Sequence, residues 1–133
     1  ATICRDKDGN YLGASAVTIA GLADATSLEA HACSEALALA RDLNVTHAMI
    51  ASDCLQVVKD LNGRTFSSYS LVLDEIKESM NDFVKISFRY ECREANLKAH
   101  AIAKAASAFS SGRRLWLGTL PNIACIAPAL NLE

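Results

Sequence analysis

The chain lacks an excess of charge of either sign. Thirteen Lys and Arg stand against 15 Asp and Glu, a net charge of -2. Nothing global marks it for nucleic acid, so any such binding has to come from a local basic patch. It also lacks a CxxC pair and any Cys/His cluster. Its five cysteines (Cys4, Cys33, Cys54, Cys92 and Cys125) are odd in number and widely spaced, which argues against both a zinc site and a disulfide framework. Most sit among apolar residues and read as small buried hydrophobes of a reducing compartment. There is no signal peptide and no long apolar run. Residues 123–130 (IACIAPAL) are too few to cross a bilayer, so no membrane partner is expected, and the location reads as intracellular, nucleus or cytoplasm. Aromatics are scarce, at 6 %, so base stacking on single strands is not expected to dominate. An initiator methionine is missing too, and Leu132-Glu133 is a pair that cloning vectors often leave, so an excised domain is expected. The sequon Asn44-Val45-Thr46 is the kind of short match that chance produces.

What is present is 133 residues, 51 % of them apolar: enough for one domain with one substantial core. RDKDGN carries an Asp-Gly turn signal before the small and β-branched run YLGASAVTIAG (11–21). Together they read as a hairpin whose first strand, ATIC, is short. Ala32, Ala36, Leu39 and Leu43 recur at helical spacing over residues 27–43. Residues 47–52 are a short apolar run of strand length, and residues 53–61 return to a helical pattern that stops at Asn62-Gly63. After a loop at RTFSS, residues 69–81 form an amphipathic helix with Leu71, Ile76 and Met80 inward. Residues 83–92 alternate Val84, Ile86, Phe88 and Tyr90 against Lys85, Ser87, Arg89 and Glu91, a half-buried strand. Residues 95–109 are Ala-rich and helical, and the tail has no clear period. Helices placed between strands indicate an α/β domain with a mixed sheet.

Three segments carry candidate chemistry. Glu35 has Ala32 and Leu39 on its own helical face, so it borders the apolar stripe; the ordinary alternative is a solvated boundary glutamate. Asp53 ends a strand, where open α/β sheets place ligand-binding groups. With Gln56 three residues on, it equally suits a capping box. REANLKAH (93–100) joins the last strand to the last helix. Asn96 suits an N-cap there, and His100 a surface or packing position one turn in. Lys85 and Arg89 share a strand face, and Arg93 and Lys98 lie close by, either as a phosphate track or as a solvated surface.

In order and spacing, RDKDG, SEALAL, SDCLQVVKDLN, REANLKAHAIAKAA and WLGTLP resemble the reverse-transcriptase-like ribonuclease H domain abundant in plant genomes. The resemblance covers about residues 3–121 and implies a ribonuclease H-like domain over 1–121, with residues 122–133 as a tail. It implies a five-stranded mixed sheet flanked by helices, and hydrolysis of the RNA strand of RNA–DNA hybrids with Mg²⁺ or Mn²⁺. Such chemistry needs clustered carboxylates to hold two cations about 4 Å apart. Carried over by motif, Glu35 and Asp53 are metal ligands and catalytic residues. His100 stands beside them where classical members carry an Asp, and Arg93, Asn96 and Lys98 face the substrate. His is a poor ligand for a hard ion, although it moves protons well.

One departure is large. The family's RD..G turn follows two strands, and the first, central strand carries an Asp that bridges both metals; here Ala1 stands two residues before Ile3. The expectation is therefore a split sheet and impaired catalysis, with the missing strand supplied upstream, by a partner or strand-swapped homodimer, or by residues 122–129. Pro128 argues against the last of these. The alternative function is a catalytically inactive ribonuclease H-like scaffold that binds protein partners.

Overall fold

The computed structural model describes residues 1–8, 10–19, 21, 24–63, 70–92, 94, 97–106 and 112–118, with the side chains of 70 and 98 excepted. The hairpin is β1 (Thr2–Arg5) and β2 (Tyr11–Thr18), paired antiparallel with Thr2 opposite Ser15. Its turn is built by Asp6, whose Oδ1 accepts from the Asp8 and Asn10 amides at 2.9 and 2.8 Å while Oδ2 accepts from the Asn10 side chain. Those contacts, Asn10 foremost, hold the Asp6 carboxyl below its ordinary pKa.

β2 is covered on both faces, which explains its small residues. Ala14 and Ala16 pack on Ala101, Ile102 and Ala106 of one helix. On the other face, a Cβ at Gly13 would meet the Leu43 and Leu117 side chains and the Trp116 carbonyl at 3.3 Å, so a larger residue there would have to push its neighbours aside. α1 (Ala25–Asp42) starts at Asp24, whose Oδ2 accepts from the Ser27 amide at 3.1 Å and from its hydroxyl at 2.6 Å. It ends at Leu43, and Asn44 follows in the left-handed region at φ 57°.

β3 (His47–Ser52), α2 (Leu55–Leu61), α3 (Ser70–Ser79), a 3₁₀ turn at Met80–Asp82, β4 (Lys85–Tyr90), α4 (Leu97–Ala106) and β5 (Gly112–Leu117) complete the order. The main core joins Ala30, Cys33 and Leu37 of α1 to Val57, Leu61, Leu73, Ile76 and Phe88. Leu37 and Ile76 are almost wholly buried, each contributing about 1.5–3 kcal/mol by leaving water. On α3 the inward residues are Leu73 and Ile76, with Met80 partly buried. Leu71, expected inward, is 79 % exposed because it sits two positions off the Leu73–Ile76–Met80 stripe. Val84, expected inward, is also exposed and lies just before the strand begins.

The fold is mixed α/β, with helices between strands as the sequence patterns predict. Among the described residues the strands form two sheets, β1-β2-β5 antiparallel and β3-β4 parallel. β5 was not foreseen: GRRLWL has no period-two pattern, and most of its side chains are exposed, so it is placed by pairing with β2 and not by an apolar face.

Candidate active site

α1 carries Glu35 in its middle turns, facing the first sheet, with its side chain only 10 % exposed. Directly above it, β5 presents Arg113, held opposite Val17 of β2. Arg113 Nε donates to Glu35 Oε1 at 2.5 Å, and its Nη2 donates to Asp42 Oδ2 at 2.6 Å. Burial works against the guanidinium charge, but the hydrogen bonds to Glu35 and Asp42 outweigh it and raise the Arg113 pKa. Arg113 was absent from the sequence-derived site. Its contact with Glu35 spans 78 positions, and the only local signal was the RR pair in a stretch without period.

Asp53 follows the last residue of β3. The parallel pairing of Ser52 with Tyr90, and the Glu91 amide bonded to the Ser52 carbonyl at 2.9 Å, fix the strand end from which it projects. The capping alternative for Asp53 fails: Cys54 is the N-cap of α2, its amide bonds the Ser52 hydroxyl at 3.1 Å, and Gln56 instead donates to Asp60. The Asp53 carboxylate is thereby left for His100, whose Nε2 lies 2.5 Å from Oδ2. His100 stands one turn into α4, with its side chain 28 % exposed against 11 % for Asp53. The ring holds the proton of this contact either as imidazolium or as the Nε2–H tautomer.

Glu35 and His100 border one cavity of about 460 Å³ between the end of β2, α1 and α4, with Glu29 and His31 also on its wall. The structure thus brings Asp53 to His100 and sets His100 and Glu35 on a shared cavity. Both carboxylates are already matched by a basic partner. Among the described residues no group of three or more His, Cys, Asp or Glu side chains is placed to hold a metal ion. Glu35 and Asp53 are each engaged by a basic side chain here, whereas a two-cation centre draws several carboxylate oxygens onto each ion, so these two are the residues that would hold a cation once their partners give way.

Of the remaining sequence-derived residues, Arg93 and Asn96 lie outside the described residues, as does the side chain of Lys98, although its backbone belongs to α4. On β4, Lys85 and Arg89 do share an exposed face, and Arg89 is paired with Glu91 at 2.7 Å. No helix among the described residues is long and apolar enough to cross a membrane.

A family model described as reverse transcriptase-like matches residues 1–106, a span that takes in Glu35, Asp53 and His100 and stops short of Arg113. No curated protein and no solved structure matches the chain.

Proposed function

The chain belongs to the reverse transcriptase-like family, a ribonuclease H-like nucleic-acid domain, and from that premise we propose that it grips the backbone of an RNA–DNA hybrid while its hydrolytic site is held back by its own ion pairs. The observation that carries this reading is the double pairing: Glu35 with Arg113, and Asp53 with His100. Glu35, Asp53 and His100 are the proposed hydrolytic residues. Mg²⁺ or Mn²⁺, the proposed cation for the two carboxylates, has to compete with a guanidinium at one and an imidazole at the other, so cleavage is weak.

His100 and Asp53 supply what the chain itself offers to hydrolysis. Asp53 orients the ring, and the same ring borders the cavity, so it is placed to hold or pass a proton beside a bound phosphate. Binding is proposed to rest on phosphate contacts. Arg93, Asn96 and Lys98, close to His100 in sequence, are the proposed phosphate contacts, and Lys85 on the exposed face of β4 is a further one. A-form backbone, not base sequence, is what such contacts read.

Fluorescence titration of a labelled hybrid at two salt concentrations tests the reading. Affinity is expected to fall at least tenfold between about 50 and 200 mM salt, as counterion release demands for several phosphate contacts. A second reading, a catalytically silent scaffold for protein partners, draws on the exposed Leu115 and Leu117 of β5. Absence of any salt-dependent affinity for hybrid would select it.

A further inference from the structure

One buried hydroxyl links two cysteines of this chain. Ser52, the last residue of β3, is buried, and its hydroxyl accepts from the Cys54 amide at 3.1 Å. The same hydroxyl hydrogen-bonds the thiol of Cys33 on α1, and that thiol also feels a charge on Cys54. Both cysteines belong to the main core: Cys33 is buried within it, and Cys54 packs against it, partly buried. α1 lies against both β3 and α2, so the two thiols stand on elements in direct contact.

The two positions differ in what holds them. Cys33 sits in the middle of α1, fixed by helix on both sides. Cys54 stands at the junction of β3 and α2 in an extended conformation, φ -98° and ψ 96°, and its side chain takes no part in the cap. Ser52 holds the capping amide instead, so the Cys54 side chain turns toward Cys33 without costing α2 a hydrogen bond. Cys54 is also the thiol that solvent reaches, whereas Cys33 is sealed. That is the division between a thiol that meets an oxidant and a thiol that resolves the product.

We propose that Cys33 and Cys54 form a reversible disulfide when the chain meets a peroxide. The Cys54 sulfur attacks one peroxide oxygen: an S–O bond forms, the O–O bond breaks, and the leaving hydroxide takes up the thiol proton as water. The Cys33 sulfur then attacks the Cys54 sulfur. An S–S bond forms, the S–O bond breaks, and the second hydroxide leaves as water with the Cys33 proton. Two thiols give up two electrons and two protons, and one hydrogen peroxide becomes two waters. A small-molecule thiol reverses the step by exchange at Cys54, the sulfur that solvent reaches. Cys33 precedes Glu35 by two residues and Cys54 directly follows Asp53, so oxidation ties together the two segments that carry the site carboxylates. Formation of the bond needs no nucleic acid, so it is tested separately from hybrid binding.

Trypsin resolves the product, because cleavage after Lys and Arg leaves each of the five cysteines in its own peptide. The whole native chain is treated with a slight excess of hydrogen peroxide, blocked with iodoacetamide and digested without reduction. The expected product is residues 8–41 joined to residues 42–59, lighter than the two peptides together by two hydrogens and split by dithiothreitol. Under the same treatment Cys33→Ala is expected to lose that product and to accumulate sulfenic acid at Cys54, trapped by dimedone. Cys54→Ser is expected to leave Cys33 unmodified. The oxidised chain is expected to resist urea, with a midpoint about 1 M above that of the reduced chain, since the bond closes the loop between the two cysteines. The proposal is overturned if peroxide leaves Cys54 unjoined, as thiol, sulfenic or sulfinic acid. It is equally overturned if Cys54 pairs instead with Cys4, Cys92, Cys125 or a second copy, or if the joined product appears only after urea has unfolded the chain. An oxidised midpoint no higher than the reduced one overturns the claim that the bond ties native segments together.

Discussion

Replacing Arg113 by alanine takes away the cation that Glu35 and Asp42 share. Breaking a buried ion pair leaves an uncompensated charge and costs about 3–5 kcal/mol when both partners are sealed from water. Here Glu35 is 10 % exposed but Arg113 is 36 % exposed, so solvent screens much of that penalty, and the expected loss is about 1–2 kcal/mol. The assay is urea denaturation followed by far-UV circular dichroism, run as a double-mutant cycle with Glu35→Gln. With a urea slope of about 2 kcal/mol per molar, the midpoint for Arg113→Ala should fall by about 0.5–1 M. In the Glu35→Gln background the same change should cost less than half as much, because the charge it would strand is already gone. Equal cost in the two backgrounds would refute the claim that Arg113 acts through Glu35. Negligible cost in both would show that β5 is not tied to α1 through this side chain.

Other outcomes follow from the same geometry. Arg113→Ala should tighten Mn²⁺ binding several-fold, read by water-proton relaxation, whereas an unchanged affinity would mean that the guanidinium does not compete for Glu35. Ser52→Ala removes the acceptor for the Cys54 amide at the start of α2 and should cost about 0.5–2 kcal/mol in the same denaturation assay. Asn44→Val should lose about 1–2 kcal/mol, since a β-branched residue is strained at φ 57°, and Asn44→Gly should be neutral or better. Burial pushes the Cys33 thiol up to about 12 from 9.0, so at pH 8 a thiol reagent should label exposed Cys92 rapidly and Cys33 only upon unfolding. The sign of the linkage follows: above about pH 9 the unfolded chain releases the Cys33 proton and the folded chain keeps it. This contribution to stability therefore declines from pH 9 toward pH 12, measurable as a falling urea midpoint.

The element order was readable in the sequence wherever burial imposes a period. The alternation around Ile86 and Phe88 corresponds to side chains packed on the main core, and the helical spacing of Ala36 and Leu39 to buried positions on α1. Legibility ended where placement depends on distant partners. GRRLWL is a strand because β2 offers it an edge, and Leu71 was misjudged because several registers of one helix look equally amphipathic. Glu35 and Asp53 were singled out through ordered motifs that also set His100 beside them, yet nothing in the sequence points from Glu35 to Arg113. Asp53 shows the limit well. Its sequence neighbours fit a helix cap, but Ser52 takes the capping amide and releases the carboxylate for a partner 47 positions away.

The most direct test of the central claim is one gel experiment: a labelled RNA–DNA hybrid incubated with the chain and millimolar Mg²⁺, resolved both native and denaturing. The account predicts a salt-sensitive mobility shift with little or no cleavage product, and more product when Arg113→Ala frees Glu35. No shift at any salt concentration, or robust cleavage that Glu35→Gln leaves intact, would contradict it.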